Sequence, residues 1–263
     1  MSGTTRPPVV EFRTGRLRRF VRSHARDVTA TLARVRRGAL LTVAVLLVPT
    51  VLALDANASR VQQAGLGLLV GLVLLVCLLE ASREERLLVA STVLVATLGE
   101  LFLTQVWGAY RYRFGNVPLY VVLGHGLVAW VGLTVQRSLG GARWPVVIVA
   151  VASVGWMVGG LFSEHPDVEG AAFAPFFLPL LLSRERTAHA ATWAYAAGIE
   201  LCGTFFATWE WSPVLPWLEL PAANPPSGAA GGYCWFAILA AGLVKLLTKP
   251  RRRVISDAFA RGR

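Results

Sequence analysis

"LLVASTVLVATLGELFLTQVW", residues 87–107, is an apolar run of 21 residues whose one acid is Glu100. At 1.5 Å per helical residue it extends about 32 Å, enough to cross about 30 Å of hydrocarbon. It therefore reads as a membrane-spanning helix. The whole chain has the same character: of 263 residues, 55% are hydrophobic and 16% charged, too apolar for an ordinary soluble domain. Eight membrane segments are predicted, at 39–54, 64–79, 87–107, 117–136, 144–162, 171–182, 187–208 and 230–248. The sixth is short and carries Pro175 and Pro179. It is expected to be broken or re-entrant, with its backbone sheltered by protein. The fold class is an all-α polytopic transmembrane helical bundle of about eight spans.

The net charge of +11 is confined to two tails. Residues 1–38 hold ten arginines against two acids, and residues 245–263 hold seven Lys/Arg against one. With the N-terminus inside, Arg83, Arg86, Arg137, Arg143, Arg184 and Arg186 fall on the same side as both tails. Only Arg60, Arg111 and Arg113 fall outside, among Asp55, Glu164, Asp167, Glu169, Glu210 and Glu219. This asymmetry predicts both termini in the cytoplasm and a multi-pass protein of the cell membrane, in particular a bacterial cytoplasmic membrane. The basic tails are expected to meet anionic headgroups rather than nucleic acid. Residues 1–38 are too long and too basic for a simple cleaved signal. They read either as an amphipathic helix, with Leu17, Val21, Val28, Leu32 and Val35 at helical spacing, or as a solvated disordered tail.

Offsetting the chain by 100 residues aligns Arg86 with Arg186, Thr92 with Thr192, Ala96 with Ala196, Glu100 with Glu200, Leu101 with Leu201 and Thr104 with Thr204. Apart from Leu101, the positions from Thr92 to Thr104 step by four, so in a helix they share one face. Four spans separate the two segments, so both point the same way. The expectation is a parallel 4+4 internal repeat: residues 39–143 and 144–249, flanked by the tails 1–38 and 250–263. Glu100 and Glu200 each lie fourteen residues beyond an arginine at the inner boundary, about 21 Å in. An ionised carboxylate there costs on the order of 3 kcal/mol or more unless it faces a partner or a wet cavity. Both glutamates are expected to face inward, toward each other.

These two acids are the leading catalytic candidates, since intramembrane acids generally mark function. Close approach would couple their titration. Thr104 and Thr204, one turn on, can hydrogen-bond the carboxyls or back-bond to the i−4 carbonyl. His125, between two glycines at similar depth, can relay a proton to Glu100, and Tyr233 is a weaker candidate of the same kind. Beyond Glu100 lie Trp107, Tyr110, Arg111, Tyr112 and Arg113, in which the arginines are expected to neutralise Glu210 and Glu219 across the outer loops. The matching exit, 208–228, reads as an outer lid or as interfacial packing, with Trp209, Trp211 and Trp217 at the interface. Cys77, Cys202 and Cys234 lack paired spacing, and the four histidines are scattered. No metal or other cofactor is expected.

Glu100, Thr104, Gly108, Tyr110, Tyr112, Gly115, Val117 and Pro118 give E-x3-T-x3-G-x-Y-x-Y-x2-G-x-V-P. This run of about twenty residues resembles the signature stretch of the carotenoid hydratases, also called carotenoid biosynthesis integral membrane proteins. Members add water across a terminal isoprenoid double bond. The resemblance implies a lipophilic, isoprenoid substrate and no cofactor. Glu100 and Glu200 would act as acid and water-orienting base, and Tyr110 and Tyr112 would line the mouth and stabilise carbocation character. Two other functions compete on the same residues: a solute or lipid transporter with proton-coupled glutamates, and a non-catalytic membrane scaffold.

Overall fold

The structure, a computed structural model, describes the backbone of residues 14–248 and the side chains of residues 30–248. The chain divides into two compact units, Met1–Leu40 and Leu41–Arg263. Helix α1 runs over Thr14–Asp55, so the basic tail has a helical backbone from Thr14 onward. The proposed apolar positions Leu17, Val21 and Val28 lie outside the described side chains, and the tail 250–263 lies outside the described residues.

The remaining helices start where local chemistry satisfies their free amides. Ser59 and Ser82 form capping boxes with Gln62 and Glu85 and open α2 (Arg60–Leu79) and α3 (Arg83–Leu101). Each serine accepts from the third helical amide while the glutamine or glutamate side chain accepts from the cap's own amide. Pro118 precedes α4 (Leu119–Leu139), and Pro145 lies in the first turn of α5 (Trp144–Leu161), where its missing N–H costs nothing. Asp167 caps α6 (Val168–Phe177) through the Gly170 amide. Helices α7 (Arg186–Phe205) and α8 (Ala229–Thr248) complete the set.

Among the described residues the protein is thus all-α, with eight helices, six of them long and apolar enough to cross a membrane: α1 from Ala30, α2, α3 with its extension to Trp107, α4, α5 and α8. Segments 171–182 and 187–208 fall outside that six, for different reasons. Helix α6 ends at Phe177, two residues after Pro175, and tightens into a 3₁₀ turn over Leu178–Leu182. Proline removes a ladder bond and blocks the i−4 carbonyl, so this segment is broken, as its two prolines suggested. Helix α7 has 20 residues, about 30 Å, but it carries His189, Glu200 and three threonines. Ten of its residues are buried. A helix enclosed by other helices needs no apolar surface toward lipid.

Helices α3, α4, α7 and α8 form the centre. α3 packs on α4 and α8, and α7 packs on α8 and α4. Helix α2 lies against α4, and α5 and α6 lie beside α7 and α8 respectively. Two short strand pairs sit at one end of this centre. Strand β1 (Tyr110–Tyr112) pairs antiparallel with β2 (Trp209–Trp211), and β3 (Val214–Leu215) with β4 (Leu220–Pro221). The segment 208–228 is therefore ordered by strand pairing.

Candidate functional site

Glu100 is the penultimate residue of α3, and Glu200 lies one turn and a half before the end of α7. They are 3% and 4% exposed. Both helices then turn the chain back over their own carboxylate. After α3, a π-helical turn, Phe102–Trp107, closes on Gly108 at φ +73°, a backbone state that only glycine adopts freely. After α7, Ala207 takes the same role at φ +52°. The returning strands are β1 and β2, which pair with each other: Tyr110 opposite Trp211, Arg111 opposite Glu210, Tyr112 opposite Trp209. Alternation along a strand sends the aromatic residues inward and the charged centres outward.

The inward aromatics grip the two acids in matching fashion. Tyr110 and Tyr112 hydroxyls both donate to Glu100 Oε2, at 2.6 Å each. The Trp209 and Trp211 indoles both donate to Glu200 Oε2, at 3.1 Å each. The second oxygen of each carboxyl faces a group on a neighbouring helix. His125 Nε2 lies 2.9 Å from Glu100 Oε1, and the Tyr233 hydroxyl donates to Glu200 Oε1 at 2.9 Å. The His125 and Tyr233 rings touch, with centroids 5.0 Å apart. Each acid thus has one oxygen fixed by two donors and one facing a side chain able to exchange a proton. Burial, and next the neighbouring Glu100 charge, push the Tyr110 and Tyr112 phenols well above the usual tyrosine range. Both stay protonated and keep donating.

Two chambers meet at these carboxyls. The larger, about 340 Å³, is lined by Glu100, Glu200, Tyr110, Trp211 and Tyr233 together with an apolar wall of Phe173, Phe176, Phe177, Trp235 and Phe236. Phe176 and Trp235 are also exposed on the outer surface. The smaller, about 30 Å³, is bounded by both glutamates, Tyr112, Tyr120, His125 and Trp209, the volume and polarity that suit one water molecule. Two polar clefts flank the β1–β2 pair, about 400 Å³ beside Tyr110 and Trp211 and about 670 Å³ beside Tyr112 and Trp209.

Eight sequence-predicted residues therefore converge: Glu100, Glu200, His125, Tyr110, Tyr112, Trp209, Trp211 and Tyr233. The expectation that Trp209 and Trp211 lie at an interface is corrected, because both bond Glu200 from inside; Trp217 does face outward. Thr104 and Thr204 do not reach the carboxyls. Each hydroxyl donates to the carbonyl of its own glutamate, at 2.7 and 2.9 Å, because its position one turn on lies nearer backbone than side chain. Trp107 touches the large chamber, but its indole N–H donates to Pro216 O at 2.6 Å and its ring stacks on Trp217. Arg111 pairs with Glu210 at 3.0 Å, as expected, with side chains 80% and 61% exposed. Arg113 does not neutralise Glu219. It donates to the Asp55 and Ala58 carbonyls and lies 3.6 Å from Asp55 Oδ1.

Three residues were not read as part of the site: Tyr120, and Asp55 and Glu169, which were read only as acids of the outer loops. Tyr120 donates to buried Asp55 at 3.0 Å and borders the small chamber. Glu169 borders the large one. The strand pairing had a signal. "YRY" and "WEW" both place one charge between two aromatics, with opposite signs, a cross-strand match with the period of a pleat.

Trp209 is held by close approach to Gly203, where an added Cβ would collide with the indole. Gly203→Ala is expected to push Trp209 off Glu200 while the helix persists. Tryptophan emission should shift with helical content unchanged by circular dichroism, and an unmoved spectrum would contradict this packing. No family model, curated protein or solved structure matches the chain.

Proposed function

We propose that this chain is an eight-span protein of the bacterial cytoplasmic membrane that adds water across an alkene of an isoprenoid lipid, using Glu100 and Glu200 as an acid–base pair and no cofactor. The observation that carries the reading is the convergence of two buried carboxyls on one aromatic-walled chamber large enough for a lipid chain. Phe176 and Trp235, exposed at its rim, supply an entrance from the lipid phase. A parallel duplication of residues 39–143 and 144–249 belongs to this reading. Its support is the reciprocal packing of α3 on α8 and α4 on α7, the symmetric register of β1 with β2, and the matching donor sets around the two acids. Both termini then lie in the cytoplasm, with the basic tails against anionic headgroups.

The chemistry follows from the donors. In its acid form Glu200 carries the proton on Oε1, where the contact with Tyr233 reverses direction, and gives that proton to the terminal alkene carbon. The C–H bond forms as the π bond breaks, leaving a tertiary carbocation sheltered by aromatic faces. A water in the small chamber attacks the cation through oxygen, and its proton passes to the Glu100 carboxylate. After the alcohol leaves, Glu100 releases its proton through hydrogen-bonded His125 and Glu200 regains one through hydrogen-bonded Tyr233. Two fixed donors on each Oε2 keep both carboxyls aimed throughout.

The full-length protein in liposomes, given an acyclic isoprenoid both as hydrocarbon and as alcohol in heavy-oxygen water, is expected to add one hydroxyl bearing a solvent oxygen, read by mass spectrometry. Label-free lipid together with solute-coupled proton uptake would replace this reading with the transporter. Neither signal would leave the scaffold.

A further inference from the structure

Glu169 is a third acid on the large chamber, and nothing in the hydration chemistry uses it. It stands in the first turn of α6, 7% exposed, and its Oε2 has no hydrogen-bond partner. Phe173 and Phe176, one and two turns along α6, border the same chamber, so this face of the helix is turned into it. The neighbouring Asp167 shows what a structural acid looks like here. It is wholly buried and saturated: Oδ1 accepts from the Gly170 and Ala223 amides at 3.1 Å each, and Oδ2 from the Ser227 amide at 2.7 Å. Those bonds tie the 222–227 loop to the start of α6 and so fix where Glu169 stands. A buried carboxyl oxygen without a partner is rare, because its lost hydration is not recovered. Placed on an otherwise aromatic wall, it calls for a partner brought by the ligand.

We infer that Glu169 receives a hydroxyl of the bound lipid, so that the substrate class is an isoprenoid alcohol rather than a pure hydrocarbon. The isoprenoid part of this statement rests on the proposed function; the hydroxyl part rests on Glu169. A hydroxyl both donates and accepts, so it satisfies Oε2 whether or not the carboxyl carries a proton. An ammonium group would have to shed its hydration in an apolar chamber with a single carboxyl to meet it, which is unfavourable. The remaining wall of Phe173, Phe176, Phe177, Trp235 and Phe236 takes the chain.

The test reads binding, not turnover. The purified full-length protein in detergent, at about pH 9 so that Glu169, raised by burial to about 7, is ionised, is titrated with farnesol and with farnesyl methyl ether, followed by quenching of its intrinsic tryptophan emission; Trp107, Trp211 and Trp235 border the chamber. Farnesol is expected to bind roughly tenfold tighter than the ether, the worth of one net hydrogen bond. In Glu169→Leu the two affinities should fall within about twofold, while Glu169→Gln, which keeps an acceptor, should retain most of the preference. Equal affinities in the wild-type protein would overturn the inference without needing any variant. A farnesol preference that survives Glu169→Leu would overturn it too. Alcohol selectivity without heavy-oxygen incorporation would sink hydration and leave this site standing; incorporation without selectivity would do the reverse.

Discussion

Glu200→Gln is expected to lower hydration by on the order of a thousandfold, within the 10²–10⁴ range of a positioned acid or base, and Glu100→Gln by a similar factor. The amide is well suited to this test because it keeps the shape of the carboxyl and both fixed donors on one oxygen, while the contact to the neighbouring helix reverses direction. In Glu200→Gln the carbonyl still accepts from the Trp209 and Trp211 indoles, and the NH₂ donates to the Tyr233 oxygen. In Glu100→Gln the carbonyl still accepts from Tyr110 and Tyr112, and the NH₂ donates to His125 Nε2. What each variant loses is the ability to give or take a proton. Thermal midpoints and tryptophan emission in detergent should therefore change little while the alcohol product disappears from lipid extracts. Wild-type rates in both variants would end the acid–base reading.

Arg113→Ala is expected to have the largest effect on stability. Its guanidinium is mostly buried, caps the Asp55 and Ala58 carbonyls, faces Asp55 Oδ1 at 3.6 Å and lies over the Phe114 ring at 4.1 Å. Asp55 is wholly buried and otherwise bonded only by neutral groups, Gln63 and Tyr120. Removing the cation leaves a buried charge uncompensated, which costs about 3–5 kcal/mol. The neighbouring Arg111→Ala breaks an exposed pair worth less than about 1 kcal/mol. Denaturation in mixed micelles measures both; equal losses would show that Arg113 is not the clamp between the α1–α2 turn and β1.

The sequence carried the central acids clearly. A carboxylate within an apolar run is costly, so its inward orientation could be read from residue type alone, and the 100-residue offset named Glu200 as its counterpart. His125 and Tyr233 followed from depth. The β1–β2 pairing did not, because three-residue strands give too short a window for periodicity, and because Trp and Tyr near a helix exit have a competing interfacial explanation. Of the two readings of the threonines, back-bonding is the one found, because a helix offers its own carbonyl closer than its side chains. Helix α7 reads as a span by length, yet its polarity makes sense only once α4, α5 and α8 are seen against it. Glu169 was invisible as a chamber residue because nothing in its local spacing distinguishes it from an ordinary acid in a first turn.

The indoles on Glu200 have a consequence that the phenols on Glu100 do not share. An indole N–H donates but cannot accept, whereas a phenol does both. Tyr110 and Tyr112 also border the outer clefts, so solvent can replenish Glu100 through them. Trp209 and Trp211 border the same clefts yet act as insulators. Among the described hydrogen-bond partners of Glu200 the one able to relay a proton is Tyr233, which lines the two chambers and neither cleft, so a proton arriving from the clefts reaches Glu100 first.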